Sequence, residues 1–199
     1  MHGLFKENGP FIVGYDPSIK ETYLVKNKFS WTKDHHMLYI DNPVGAGFSF
    51  TEDEDGFPRT DQQASVELLE ALRQFMLLFP HMTRKQDVKK TRFYAFGESY
   101  GGTYVVSLAK AFIEKRDEDP RYVENINFSG IGIGNGFISS PQQSLYADYF
   151  SMLGYITEEE HSRLRALDEE LLRHYRAKNY PGVINSSQVN YIDLNHTYT

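Results

Sequence analysis

The 199-residue chain contains no cysteine, which excludes a disulfide framework and any metal site built from thiolates. No apolar run approaches the roughly 20 residues that a bilayer-spanning helix requires, so no membrane span is expected. The first residues, Met1 to Glu7, have neither a basic leader nor an apolar core, and no signal peptide is visible. These absences favour the cytosol.

Three Asn-x-Ser/Thr sequons point instead to the secretory pathway, where such asparagines are glycosylated. The candidate acceptors are Asn127, Asn185 and Asn195. Motifs this short also arise by chance, so the sequons alone decide little.

Positive charge is also scarce. The net charge of -6 argues against nucleic acid as a partner. The seven histidines include no H-x-x-x-H pair, so no metal-ligand spacing is present. No motif indicates a cofactor, and we therefore expect neither a metal nor a cofactor.

The chain does contain an alternation of short apolar runs and amphipathic segments. The runs predict strands over 22–25, 37–40, 93–96 and 126–134. One helix is predicted after the capping residue Thr60, with its inward face formed by Leu68, Leu72, Phe75, Met76 and Phe79. A second is predicted after residue 100, with its inward face formed by Val105, Leu108, Ala109, Phe112 and Ile113. The resulting order of elements predicts an α/β fold with a doubly wound, mostly parallel sheet.

The character of the sequence changes near residue 140. Capping signals predict one helix from Ser140 to Gly154 and another after Thr157. The inward positions of the latter are Leu164, Leu167, Leu171 and Tyr175. One short strand is predicted within 183–194. We therefore predict that residues 1–140 form part of the α/β core, and that 141–199 begin a helical insertion.

The motif that carries chemistry is Gly97-Glu98-Ser99-Tyr100-Gly101, which fits G-x-S-x-G between a predicted buried strand and a predicted helix. In that context it indicates a nucleophile elbow, a sharp turn that lifts the serine hydroxyl out of the sheet. We expect both flanking glycines to be needed for steric reasons. The N–H of Tyr100 is expected to point at a developing oxyanion.

The surroundings of this motif resemble the serine carboxypeptidases. The elbow continues as Gly-Glu-Ser-Tyr-Gly-Gly, the form it takes in that family. Three further stretches are similar to family segments: 3–10, Trp31 with 37–50, and 130–136. Within the family, the chain looks closest to the vitellogenic-like carboxypeptidases. The resemblance implies an α/β-hydrolase fold, a secreted or lysosomal (vacuolar) location, and peptides with a free C-terminus as substrates.

The resemblance also implies roles for four residues. Ser99 would be the nucleophile, and Tyr100 would supply an oxyanion N–H and a wall of the substrate pocket. Glu98 and Glu7 would form a carboxylate pair that shares a proton and binds the C-terminal carboxylate of the peptide. Two close carboxylates do not both ionise cheaply, so one stays neutral and can donate a hydrogen bond.

Two parts of the family's machinery are not found in the chain. They are a Gly-Gly-Pro-Gly segment expected just before Gly3, and the Asp and His that follow the serine in an α/β-hydrolase. After Ser99 the histidines are His161 and His174, interpreted as solvated surface residues, and His196 in the tail. We therefore expect an N-terminal fragment that is inactive alone. Two alternatives stay open: an acyltransferase on the same scaffold, and a non-catalytic binding fragment.

Overall fold

The computed structural model describes residues 1–80 and 91–186. Its described strands are β1 (Phe11–Asp16), β2 (Glu21–Lys26), β3 (Phe93–Glu98) and β4 (Phe128–Gly134). Its α-helices are α1 (Asp61–Leu78), α2 (Gly101–Glu118), α3 (Ser140–Gln143), α4 (Ala147–Met152) and α5 (Glu158–Arg176). The strands at 22–25, 93–96 and 126–134 are thus confirmed to within two residues.

The predicted strand over 37–40 is wrong. In the described ranges its residues join no ladder, and the two sheets found are β1–β2 and β3–β4. An apolar run becomes a strand only when a neighbouring backbone accepts its hydrogen bonds. Tyr39 is instead fixed through its side chain, because its hydroxyl donates to Asn8 Oδ1 at 2.7 Å.

Strands β3 and β4 run parallel, as the α/β pattern predicts. The N–H of Phe93 donates to the carbonyl of Asn127 at 2.8 Å, and that of Ser99 donates to the carbonyl of Gly134 at 3.1 Å. Partners therefore advance in the same direction along both strands. Helix α2 connects the two strands, which gives a β-α-β unit whose first turn, between β3 and α2, is the predicted elbow.

Helices α1 and α2 form the core of one compact unit, which comprises residues 1–97 and 103–132. Thr60 caps α1 by accepting from the N–H of Gln63 at 3.1 Å, as predicted. The core contains Leu69, Leu72, Met76, Ala95, Val105, Leu108, Ala111, Phe112, Val123 and Ile126. Two predicted inward residues, Phe79 and Ile113, are exposed instead. The buried face of each helix is therefore rotated from the predicted one, and it includes Leu69 in α1 and Ala111 in α2. Contacts with the neighbouring elements, which the sequence pattern does not contain, decide which face is buried.

A polar cluster ties α1 to the segment before β4. The Glu70 carboxylate accepts hydrogen bonds from Arg73, Gln74 and the Tyr122 hydroxyl at 2.6–2.8 Å. Arg73 also lies over the Tyr122 ring, with its guanidinium carbon 5.2 Å from the centroid. Hydrogen bonds from Arg73 and then from Tyr122 lower the pKa of Glu70 to about 2.

The second compact unit comprises residues 98–102 and those from 133 onward. The single helix predicted from Ser140 to Gly154 is broken into α3 and α4, and Gly154 ends the segment with φ of 71°. Helix α5 begins with the predicted cap, since Thr157 and Glu160 form a reciprocal capping box. Residues 180–186 are helical, so the strand predicted within 183–194 is wrong where it is described; its remainder lies outside the described residues. The domain boundary at 140 stays a prediction.

Side-chain contacts hold α4 against α5. The buried carboxylate of Asp168 accepts the N–H of Ala147 at 3.1 Å, at the start of α4. Burial raises the pKa of Asp168, and the hydrogen bond from Ala147 opposes that rise. Asp148 pairs with His161 at 2.8 Å and with Arg165 at 3.1 Å. Among the described helices, none has the length and apolarity that a membrane crossing requires.

Candidate active site

Ser99 occupies a strained turn between β3, which ends at Glu98, and α2, which begins at Gly101. Its φ is 55°, in the left-handed region that residues with a side chain rarely adopt. The serine is exposed. The predicted strand–turn–helix geometry is therefore confirmed, and strain of this kind is typical of functional turns.

Main-chain hydrogen bonds hold this turn in place. The Ser99 N–H donates to the Gly134 carbonyl at 3.1 Å. The Ser99 carbonyl accepts from the N–H of Gly102 at 3.0 Å and from that of Phe137 at 2.8 Å. The end of β4 and the loop after it therefore contact the elbow through its main chain. Because backbone groups make these bonds, the position of Ser99 depends little on neighbouring side chains.

The steric need for glycine differs from the expectation. A Cβ added to Gly101 would meet no atom within 4 Å, so the predicted clash at this position is wrong. A Cβ on Gly102 would lie 2.9 Å from the Gly136 Cα and 3.2 Å from Ile133 Cγ2. The close approach is therefore between the first turn of α2 and the loop after β4, and it involves the second glycine of the Gly-Gly pair.

An aromatic pair adjoins Ser99. The rings of Tyr100 and Phe137 are stacked, with centroids 6.3 Å apart and planes 25° apart. Both side chains are partly exposed to solvent. Phe137 was missed in the sequence, because nothing in its spacing marks it, although it follows directly after the Gly134-Asn135-Gly136 stretch that the family resemblance had singled out.

Glu98 is the last residue of β3 and is exposed. Its side chain passes near the neighbouring strand, since a Cβ built on Gly134 would lie 3.7 Å from Glu98 Cγ. The glutamate side chain therefore lies alongside β4, beside the elbow.

Glu7 lies in the other unit, at the end of a short π-helical turn (Gly3–Glu7). Its carboxylate is 3.4 Å from His2 Nε2. The amide of the buried Asn27 fixes the backbone around it by donating to the carbonyls of Glu7 and Gly9, both at 2.9 Å. Asn27 was not singled out in the sequence, because its role depends on a contact between distant positions. Pairing of Glu7 with Glu98 stays a prediction.

The histidines on α5 are less solvated than expected. His161 is 18% exposed in its side chain and pairs with Asp148, while His174 is 28% exposed and lies 3.7 Å from Glu170. His161 is thus less solvated than predicted, since Asp148 of α4 lies against it, whereas His174 stays partly exposed. The partners found for them are the carboxylates of Asp148 and Glu170 and the amide of Asn179, rather than Ser99. His196 lies outside the described residues.

The sequons differ in their surroundings. Asn185 is exposed on the helical segment 180–186, whereas Asn127 is partly buried, and its carbonyl accepts from Phe93. Asn195 lies outside the described residues. An open depression of about 460 Å³ is bordered by α5 and residues 179–186, with His174 and Asn185 in its lining. Within residues 1–80 and 91–186, no group of three or more His, Asp or Glu side chains is placed to hold a metal ion.

Comparison with known proteins decides the family. The serine carboxypeptidase family model matches residues 1–196. The chain belongs to the serine carboxypeptidase family. Its elbow is therefore the elbow of an α/β-hydrolase fold, as the resemblance of motifs had indicated.

Several relatives in this family are similar to the chain over most of its length. It is 39% identical to the venom serine carboxypeptidase of Apis mellifera over 170 residues, which cover 85% of this chain and 33% of that protein. It is 37% identical to the vitellogenic carboxypeptidase of Aedes aegypti over 156 residues, covering 78% and 30%. The predicted likeness to vitellogenic carboxypeptidases is confirmed. The chain spans about a third of the length of these relatives.

A solved structure supports the fold. Kex1Δp, a prohormone-processing carboxypeptidase from Saccharomyces cerevisiae, superposes with a TM-score of 0.74 at 23% identity. The match covers 98% of this chain and 42% of that one. The α/β-hydrolase prediction is thereby confirmed, with this chain supplying part of the fold.

Proposed function

We propose that this chain is the nucleophile-bearing part of a serine-type carboxypeptidase, which removes C-terminal residues from peptides at acidic pH. The observation that carries the proposal is Ser99, exposed in a strained left-handed turn between β3 and α2. In the proposed reaction Ser99 Oγ attacks the carbonyl carbon of the last peptide bond. The C–N bond breaks, and the C-terminal amino acid leaves with the proton that the serine hydroxyl has lost. Water then hydrolyses the acyl-enzyme.

The groups beside Ser99 support acyl transfer. The N–H of Tyr100 follows the nucleophile at the start of α2, where backbone dipoles favour negative charge, and we assign it to the oxyanion. The stacked rings of Tyr100 and Phe137 offer an apolar wall next to the scissile bond. We therefore expect a preference for substrates with an apolar side chain next to the scissile peptide bond.

We assign recognition of the substrate's terminal carboxylate to Glu98 and Glu7. With one shared proton the pair donates a hydrogen bond to the carboxylate, and with both ionised it repels it. Peptide cleavage should then weaken as pH rises. A peptide amide carries no terminal charge, so its cleavage should be less sensitive to this ionisation.

The Glu98→Gln substitution tests this assignment, because glutamine donates at every pH. It should flatten the alkaline decline in kcat/KM for a peptide more than for its amide. The expected size is modest, because in the proposed pair Glu7 can take over the shared proton. Identical alkaline declines for both substrates in both proteins would remove the two glutamates from substrate recognition.

The 199-residue chain alone is proposed to be inactive. Serine needs an adjacent general base. The partner found for His161 is Asp148, and those found for His174 are Glu170 and Asn179. The test compares this chain with the complete protein, meaning the chain with any flanking sequence that its transcript encodes. Using a blocked dipeptide at pH 5, we expect turnover only in the complete protein. There, Ser99→Ala should reduce turnover about 10⁴- to 10⁶-fold.

Other outcomes of this test would change the proposal. Turnover by the 199-residue chain that Ser99→Ala abolishes would show that the chain contains its own base. Transfer of an acyl group to an alcohol in preference to water would indicate an acyltransferase. Specific binding of a partner without any reaction at Ser99 would indicate a non-catalytic fragment.

We further propose a secreted or lysosomal location, which the venom relative and the three sequons support. Asn127, Asn185 and Asn195 are the proposed glycan acceptors. Glycosidase treatment of protein from a secreting cell line, followed by mass determination of the tryptic peptides, would show which of them is modified.

A further inference from the structure

The loop after β4 is held by one side chain, that of Gln143 at the end of α3. Its amide oxygen accepts the N–H of Ile138 at 2.6 Å and that of Ser139 at 2.8 Å. Its amide nitrogen donates to the carbonyl of Gly136 at 2.7 Å. Because the oxygen of an amide only accepts and its NH₂ group only donates, these partners fix which way round the amide lies. One side chain therefore bonds to three main-chain groups of the loop.

Phe137 lies between these bonded groups. The peptide unit before its Cα is held on both sides, since the Gly136 carbonyl accepts from Gln143 and the N–H of Phe137 donates to the Ser99 carbonyl at 2.8 Å. The peptide unit after its Cα is held through the N–H of Ile138. A residue has only two soft backbone dihedrals, so fixing both peptide planes also fixes the direction of its Cβ. The Gln143 amide thus determines where the ring of Phe137 starts from.

Helix α3, which carries Gln143, is itself anchored. The hydroxyls of Ser140 and Tyr175 are hydrogen-bonded, which ties α3 to α5. The N–H of Gln143 donates to the carbonyl of Ser139 at 2.9 Å, so the helix also closes on the loop through its main chain. All of these residues belong, like the elbow, to the second compact unit. The glutamine therefore links the loop beside the elbow to the helical region.

We propose that Gln143 is a positioning residue for substrate selection, which holds Phe137 against Tyr100 and thereby shapes the apolar wall beside the elbow. The inference rests on the proposed function, which assigns that wall to the substrate. The two stacked rings are both partly exposed, so burial in a core does not fix their positions. Polar bonds to the loop main chain supply the order that packing does not.

The elbow should be less sensitive to Gln143 than the aromatic pair is. Ser99 also bonds through its main chain to Gly102 and Gly134, and neither bond passes through the loop. Gln143 is exposed, and hydrogen bonds in contact with water add little to the stability of the whole fold. Loss of its amide should therefore change substrate selection while the reactivity of Ser99 is kept.

Two variants and a control test the proposal in the complete protein. Gln143→Met keeps the length of the side chain and removes all three hydrogen bonds. Gln143→Glu keeps an oxygen for the two N–H groups but does not donate to Gly136 when it is ionised. Gln142→Met is the matched control, because the side chain of this neighbouring glutamine bonds to the hydroxyl of Ser139 rather than to the loop main chain.

Two measurements separate the wall from the elbow. The first is kcat/KM at pH 5 for two blocked dipeptides, which carry either phenylalanine or serine next to the scissile bond. The second is the rate at which a small fluorophosphonate labels Ser99. We expect Gln143→Met to lower the phenylalanine-to-serine ratio of kcat/KM about tenfold, mainly through a higher KM for the phenylalanine substrate, with an unchanged labelling rate. Gln143→Glu should give an intermediate ratio, and Gln142→Met should match the parent.

Three results would overturn this inference and leave the proposed function standing, because the parent still cleaves both peptides. They are an unchanged ratio in both Gln143 variants, an equal fall in the ratio for Gln142→Met, and equal losses of both kcat/KM values and of labelling, which indicate general damage to the fold. A parent that cleaves neither peptide and is not labelled at Ser99 would refute the proposed function and this inference together.

Discussion

Two parts of the second unit are fixed in different ways. At the elbow, the position of Ser99 is set by three main-chain hydrogen bonds to Gly102, Gly134 and Phe137. In the helical part, α4 is held on α5 by the carboxylates of Asp168 and Asp148. The elbow is therefore encoded by backbone conformation and glycine, and the helix pair by polar side chains at distant positions. The difference predicts which substitutions each region tolerates.

The largest effect is expected at the second glycine of the elbow. Gly102→Ala places a Cβ 2.9 Å from the Gly136 Cα, and overpacking of this kind costs about 1–3 kcal/mol. The matched control is Gly101→Ala, which meets open space and should be neutral or stabilise by up to about 1 kcal/mol. Urea unfolding of both variants measures the difference. Equal free energies of unfolding would contradict the account of the elbow.

Asp168 is expected to be the most sensitive carboxylate of the helix pair. Asp168→Ala leaves the N–H of the buried Ala147 without this acceptor, which costs about 1–3 kcal/mol, whereas Asp168→Asn keeps an acceptor oxygen. The alanine variant should therefore unfold at lower urea than the asparagine variant. If the two variants unfolded together, the hydrogen bond to Ala147 would not be what holds α4.

The same carboxylate gives the helix pair a distinct pH dependence. Burial raises the pKa of Asp168, so its contribution to stability is complete below the unfolded pKa and is lost as pH rises through the folded one. The parent's stability relative to Asp168→Asn should thus be greatest in acid. Nearby, the hydrogen bond with His161 and then the charge of Arg165 lower the pKa of Asp148. The contribution of Asp148 to stability is therefore lost as pH falls, opposite to that of Asp168.

Glu70 provides a control of opposite sign in the first unit. Its pKa is lowered to about 2, so its contribution is present above the unfolded pKa and is lost as pH falls towards 2. The parent's stability relative to Glu70→Gln should therefore increase from strong acid to neutral pH. The free energy of unfolding is measured from about pH 3 to 7 for the parent, Asp168→Asn and Glu70→Gln. If the parent's stability relative to the two variants changed with pH in the same direction, the pKa direction assigned to Asp168 or to Glu70 would be contradicted.

Structure that depends on neighbouring residues in the chain could be predicted from the sequence, whereas structure that depends on distant contacts could not. The elbow is local, so a strand, a glycine-flanked serine and a helix suffice to predict it, and Thr157 with Glu160 predicts the start of α5 in the same way. The strand over 37–40 fails because pairing needs a distant partner. The enclosure of His161 and the roles of Asn27 and Asp168 also depend on distant partners, which no local pattern contains.

The smallest effect concerns strain at Ser99 itself. With φ of 55°, Ser99 occupies a conformation that costs a residue with a Cβ about 1 kcal/mol or more. Ser99→Gly should relieve that strain and stabilise the protein by about 1 kcal/mol, partly offset by the greater chain entropy of glycine. Ser99→Ala keeps the Cβ and should not stabilise. Identical thermal midpoints for the two variants would show that the turn is not strained.

The central claim is that Ser99 is the nucleophile of a serine carboxypeptidase that this chain alone does not complete. Covalent labelling with a fluorophosphonate, which reacts with activated serines, tests it most directly. The account predicts that the complete protein is labelled at Ser99, that Ser99→Ala is not labelled, and that the 199-residue chain reacts at a background rate. Labelling of the complete protein at another residue, or of the short chain at the rate of the complete protein, would contradict it.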